Sequence, residues 1–148
     1  MYDPYLSREL IESTGAKKVD FETAIKNADY ISLHMPLTSE TRGIIDKKAF
    51  SIMKKTAILI NTSRGPLIDE EELINALENK KIAFAGLDTY NVEPLPEESP
   101  LKKLDNCVLT DHTGFNTQEA IIELKTKVAC NVRDVLEGRE PEYLINKF

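Results

Sequence analysis

Four stretches of this chain end in polar side chains of the kinds that hold anions and move protons. They are His34, the run Asn61-Thr62-Ser63-Arg64, Asp88, and the pair Asp111-His112. A guanidinium carries a fixed charge on a planar fork that suits a carboxylate. An imidazole titrates nearest physiological pH and so can give or take a proton there. Taken singly, each residue has a plainer reading. Arg64 alone is a solvated surface charge, and Gly65 behind it a turn residue. Glu93 sits in the acidic, Pro-rich loop Glu93–Pro100 and alone reads as solvating. His112 alone is a loop histidine. His34 reads as a strand-end packing residue, and Tyr2, Tyr5 and Tyr90 as partial-core aromatics. The chemistry needs these groups to meet, so the elements that carry them decide the matter.

Those elements alternate. Short apolar runs, Tyr30–His34, Ala57–Asn61, Ile82–Asp88 and Cys107–Thr110, have the length and boundaries of parallel strands covered by helices on both sides. Between them lie helix-start signals. Ser7 precedes a helix over Arg8–Ser13, and Asp20 one over Phe21–Asn27. Asp46 precedes Lys47–Lys54, and Asp69 with Glu72 forms a capping-box pair ahead of Leu73, Ile74 and Leu77. The last helix opens at Asn116 with Glu119 and carries Ile121, Leu124, Val128, Val132 and Val135 as one stripe. Gly138 stands where a left-handed C-terminal residue is wanted. This order indicates an α/β fold with a mainly parallel sheet. In such a sheet, ligands bind in the crevice at the carboxyl ends of the strands, where the four polar stretches would converge.

Composition narrows the function. The 148 residues are 41% hydrophobic and 30% charged, enough for a core and too polar for a membrane protein. Apolar runs such as Ala57–Ile60 are far short of the ~20 residues that a spanning helix needs. Nineteen basic against twenty-five acidic residues leave a net charge of −6, which argues against nucleic acid or an anionic membrane as partner. Cys107 and Cys130 make no disulfide framework and read as reduced, mostly buried thiols of a cytoplasmic protein. His34 and His112 with these cysteines form no metal-ligand spacing.

Four blocks together carry a resemblance. They are His34–Thr38 (HMPLT), Asn61–Glu70 (NTSRGPLIDE), Gly86–Pro94 (GLDTYNVEP), and Thr110–Gly114 (TDHTG) with Thr117–Ala120 (TQEA). In order and spacing they resemble the D-isomer-specific 2-hydroxyacid dehydrogenases. The resemblance implies a Rossmann-like NAD-binding domain and hydride transfer between NAD and a small 2-hydroxy or 2-oxo acid. It places Arg64, Glu93 and His112 in catalytic positions. His112 would move the proton, Glu93 would orient its ring and favour the protonated form, and Arg64 would hold the substrate carboxylate. Asp88 would face the nicotinamide amide. Asp3 would hydrogen-bond the adenosine ribose, and its charge favours NAD over NADP. Met35, Pro36, Thr62, Ser63, Arg64, His112 and Gly114 complete the implied cofactor set. The acid stays open among phosphoglycerate, glycerate, glyoxylate and lactate types.

The sequence also departs from that family. A G-x-G-x-x-G turn belongs about 20 residues before the ribose acid, yet only Met1 and Tyr2 precede Asp3. The six glycines, at 15, 43, 65, 86, 114 and 138, include no G-x-G. The chain therefore reads as a partial NAD-binding domain over residues 1–148, its doubly wound sheet lacking the first strand and glycine-rich turn and its substrate domain absent. A fragment of this kind is expected to be inactive alone. Its strand Tyr30–His34 is expected to have a bare edge that invites a homo-oligomer, and Met1–Asp20, deprived of sheet partners, to be displaced. The reading from another class is a non-catalytic NAD-sensing or protein-interaction module, which need not keep Arg64, Glu93 and His112 together.

Overall fold

In the computed structural model, which describes residues 1–144, the chain forms two compact bodies, residues 1–112 and 113 onward. The first holds the sheet. Its strands β1 (Tyr30–Leu33), β2 (Ile58–Asn61), β3 (Phe84–Leu87) and β4 (Cys107–Leu109) are all parallel and lie in the order β1-β2-β3-β4. The register sets Ile31, Leu59, Ala85 and Cys107 side by side, and Leu33, Asn61, Leu87 and Leu109 beside one another at the carboxyl end. Each expected strand is present, shortened by one to three residues at its ends.

Between and before the strands lie α1 (Arg8–Ser13), α2 (Phe21–Asn27), α3 (Lys47–Ile52) and α4 (Glu70–Glu78). Ser7, Asp20, Asp46 and Asp69 cap them, each side chain accepting a backbone N–H from the first turn. At α4 the capping box forms only in part. Asp69 Oδ1 accepts the Glu72 N–H, but the Asp69 N–H already donates to Ile45 C=O, so the Glu72 carboxylate turns to Lys47 at 3.7 Å instead.

The core packs against one face of the sheet. Ile31, Leu33, Leu59, Ala85 and Leu87 are buried there with Ile25, Ile45, Phe50, Leu67, Leu73 and Leu77. The opposite face differs from the expectation of cover on both sides: Tyr30 is 72% exposed and Val108 53%. Alternate residues of a strand point to opposite faces, and within this body the helices bury only one.

Met1–Asp20 is ordered rather than displaced. The Met1 amino group donates to Lys17 C=O at 2.6 Å, and Val19 N–H donates to Met1 C=O at 3.0 Å. Ile11 of α1 is buried. Local capping and this backbone pairing hold the segment without sheet partners. The free side of β1 faces a hollow of about 280 Å³ bordered by Tyr2, Phe21, Ile25 and Met35.

The second body is dominated by α5 (Gln118–Leu136). It starts one residue later than expected. Asn116 N–H closes a turn onto Thr113 C=O, and Thr117 Oγ1 becomes the cap by accepting the Ala120 N–H. Gly138 follows the helix at φ +73°, the left-handed conformation that glycine adopts without strain. The stripe Leu124, Val128, Val132 and Val135 is more than half exposed, and no residue of α5 is buried.

Candidate active site

Three loops at the carboxyl ends of β2, β3 and β4 carry the residues of interest, and buried polar groups shape each loop. After β2, Asn61 is fully buried. Its Nδ2 donates to Arg64 C=O at 2.9 Å and its Oδ1 accepts the Ser63 N–H at 3.1 Å, folding the Thr62–Arg64 turn over its own side chain. Ser63 Oγ donates to Leu33 C=O and stitches this turn to the end of β1. Arg64 is left exposed, with Nη1 donating to Ser63 C=O. Gly65 follows because nothing larger fits: a Cβ there would lie 2.0 Å from the Tyr90 carbonyl carbon and 2.2 Å from its oxygen.

After β3, Asp88 is buried and its Oδ1 accepts the Thr110 hydroxyl at 2.5 Å. Its N–H donates to Asn61 C=O, so Asp88 ties the end of β3 to the ends of both β2 and β4. Glu93 lies further along this loop. Its Oε1 accepts the Tyr90 N–H at 3.0 Å and its Oε2 meets His112 Nδ1 at 2.8 Å. The bond to His112 and then the Tyr90 N–H hold Glu93 below the usual carboxylate range, with the charges of His112 and Arg64 adding to them and partial desolvation opposing. Glu93 is thus ionised at neutral pH, and one face of the imidazole is tied to it.

After β4, His112 takes φ +49°, in the left-handed region. Histidine enters it more readily than most residues, and such conformations cluster at functional sites. The turn directs the ring back to Glu93 while leaving the side chain 42% exposed.

The other sequence-derived candidates divide. Met35, Pro36, Thr62, Ser63 and Arg64 line one cavity of about 650 Å³ at the ends of β1 and β2, together with His34 and Leu37. His34 is exposed and bonded to Ser32 Oγ at 2.7 Å, so it is a cavity-rim residue and not the packing residue expected. Asp3 Oδ1 accepts the N–H groups of Tyr5 and Leu6, and these bonds hold its carboxyl below the ordinary range. Gly114 belongs to the second body. Sequence reasoning missed Gly65, Tyr90 and Thr110 as site-building residues. Tyr90, read as a partial-core aromatic, is buried but spends its backbone and its hydroxyl on this site, and a lone tyrosine two residues past Asp88 carries no signal of that. Both cysteines are free and half-buried, with the Cys107 thiol pushed up to about 11 by burial.

A parallel sheet with helices between its strands and polar loops gathered at their carboxyl ends is consistent with a Rossmann-like dinucleotide-binding domain. Residues 1–114 match the family described as D-isomer specific 2-hydroxyacid dehydrogenase, NAD binding domain. The chain is 44% identical over 146 residues to a D-3-phosphoglycerate dehydrogenase of Methanocaldococcus jannaschii, covering 98% of this chain and 28% of that protein. It is 48% identical over 139 residues to a glyoxylate reductase of Thermococcus litoralis, covering 94% of this chain and 42% of that protein. Among solved structures, the D-lactate dehydrogenase of Lactobacillus jensenii with NAD+ superposes at a TM-score of 0.88 with 32% identity, over 99% of this chain and 47% of that one. The chain belongs to the D-isomer-specific 2-hydroxyacid dehydrogenase family, through its NAD-binding domain. It spans less than half the length of these relatives.

The residues present fit the nicotinamide side of such a cofactor. The cavity at the ends of β1 and β2 has Thr62 and Arg64 in its lining, and Asp88 is buried with its Oδ1 bonded to the Thr110 hydroxyl. The pyrophosphate side differs, since no G-x-G turn occurs among the 148 residues to offer its backbone N–H groups. Among the described residues no helix is long and apolar enough to cross a membrane.

Proposed function

We propose that this domain supplies the acid–base machinery and the nicotinamide-side wall of an NAD-dependent D-2-hydroxyacid dehydrogenase. The observation that supports this most is the 2.8 Å contact between Glu93 Oε2 and His112 Nδ1 beside the arginine turn. Reduction of a 2-oxo acid requires a hydride at the carbonyl carbon and a proton on its oxygen, and the nicotinamide supplies the hydride when bound. Glu93, ionised and bonded at Nδ1, stabilises the imidazolium, and Nε2 delivers the proton in this reading. In the reverse direction the same nitrogen takes the hydroxyl proton. Arg64 holds the substrate carboxylate and polarises the carbonyl through its fixed charge. Asp3, Met35, Pro36, Thr62, Ser63, Asp88 and Gly114 serve the cofactor in this reading. The names of the relatives suggest small acids of the glyoxylate, lactate and phosphoglycerate kinds as substrates.

For the chain by itself, this reading includes negligible turnover, because the pyrophosphate cradle and a second wall against water are not supplied by these residues. It also includes a cytoplasmic setting, in keeping with the free cysteines, and self-association through β1. Ile58 N–H donates to Asp29 C=O, so strand alternation turns the N–H and C=O of Tyr30 and Ser32 away from β2, an edge with no strand on it among the described residues.

The test is a chimera in which this chain replaces the matching segment of the Thermococcus litoralis glyoxylate reductase. NADH oxidation should occur with glyoxylate, hydroxypyruvate or pyruvate, and His112→Ala should abolish it. A chimera that binds NADH but turns nothing over would favour the NAD-sensing module instead, and full turnover with His112→Ala would remove the catalytic assignment.

A further inference from the structure

Tyr90 stands where the three loops of the site meet. Its backbone N–H donates to Glu93 Oε1 at 3.0 Å. Its hydroxyl donates to Thr110 C=O at 2.6 Å and also lies 3.2 Å from Leu87 C=O. Its own carbonyl packs against Gly65, the residue after Arg64, more closely than any Cβ would permit. The residue is 6% exposed, so these bonds are made largely out of water.

We propose that Tyr90 is a positioning residue for the Glu93–His112 pair: its main chain fixes the carboxylate and its hydroxyl fixes the turn that carries the imidazole. The inference rests on the catalytic reading above. Thr110 lies two residues before His112, whose left-handed φ makes its ring direction sensitive to how the preceding peptides are held. One hydroxyl bonded to Thr110 C=O anchors that approach from the β3 side. The same residue holds the Glu93 oxygen that does not touch His112, leaving Oε2 for Nδ1. Burial, with smaller effects of Cys107, Asp88 and Asp111, pushes the phenol up to about 12, so it stays protonated and a donor throughout the working range. A tyrosine serving only to fill the core would need neither its hydroxyl nor its place in the loop.

The test is Tyr90→Phe, which keeps the ring and removes only the hydroxyl. In the chain itself, nitrogen-edited NMR of the His112 ring should show one bonded Nδ1 state in the wild type. In Tyr90→Phe that signal should broaden or split, while the backbone amide spectrum of the sheet is retained. In the active chimera, kcat should fall roughly five-fold, the scale of one lost internal hydrogen bond, with KM for NADH and for the 2-oxo acid within about two-fold. An unchanged His112 ring signal together with unchanged kcat would overturn the proposal. If His112→Ala keeps full turnover, the catalytic reading fails alone, and the NMR comparison still decides whether Tyr90 positions the ring.

Discussion

Glu93 Oε2 and His112 Nδ1 lie 2.8 Å apart although nineteen positions separate them in the chain. The pair joins the loop after β3 to the loop after β4, and the second carboxylate oxygen of Glu93 is held from the β3 side. Glu93 Oε1 takes the Tyr90 N–H, so the carboxylate cannot rotate away without leaving a backbone donor unmet. The carboxylate–imidazole contact is therefore built into the fold by these two loops.

This gives a pH signature. Glu93 has its folded pKa lowered below the ordinary 4.5, chiefly by the bond to His112. A depressed carboxylate contributes stability that is complete above the unfolded value and lost as pH falls through the folded one. Glu93→Gln should therefore be less stable than the wild type just above pH 4.5, and the margin should shrink as pH falls below it. Urea midpoints measured across the acid range check this; a margin that grows on acidification would contradict it.

Gly65→Ala tests the close approach of two loops. The new Cβ would meet backbone atoms of Tyr90 at 2.0 and 2.2 Å, which cannot swing aside as a flexible side chain would. Overpacking of this kind should destabilise by about 3 kcal/mol, read from urea unfolding, and in the chimera turnover should fall with it. A neutral substitution would mean that the Arg64 turn and Tyr90 separate easily.

Asn61→Ala removes both side-chain bonds that fold the Arg64 turn, from a residue with no exposed surface. It should destabilise by about 2 kcal/mol. In the chimera it should raise KM for the 2-oxo acid more than it lowers kcat, because Arg64 would lose its setting while the Glu93–His112 pair stays. Steady-state kinetics with varied glyoxylate separates the two effects.

Ser32→Pro addresses the open edge of β1. Proline removes an outward N–H and obstructs any strand laid against that side. Sedimentation of the wild type should show a concentration-dependent dimer, and the variant should sediment as a monomer with the same circular dichroism. A wild type that is monomeric at micromolar concentration would refute association through β1.

Much of this was legible in the chain. The four strands, the caps at Ser7, Asp20, Asp46 and Asp69, and the left-handed Gly138 follow from local rules: apolar runs flanked by turns, short acceptors before helices, and glycine after them. The motif blocks also placed Arg64, Glu93 and His112 on neighbouring loops, since parallel strands in this order send their carboxyl ends to one edge. The errors fell where a partner distant in sequence intervened. Ile45 C=O took the Asp69 N–H and broke the capping box, and the pairing of Met1 with Lys17 and Val19 ordered a segment expected to be displaced.

The residue types and their order were thus enough to determine a parallel α/β sheet and the kinds of chemical group at its edge, because periodicity and capping act over a few residues. Only the tertiary structure decided that Tyr90 serves all three loops, that Gly65 must be bare, and that His34 stands at a rim. The first two roles arise from groups brought together across some twenty to twenty-five positions of chain. No local preference encodes such contacts; packing of the whole body makes them.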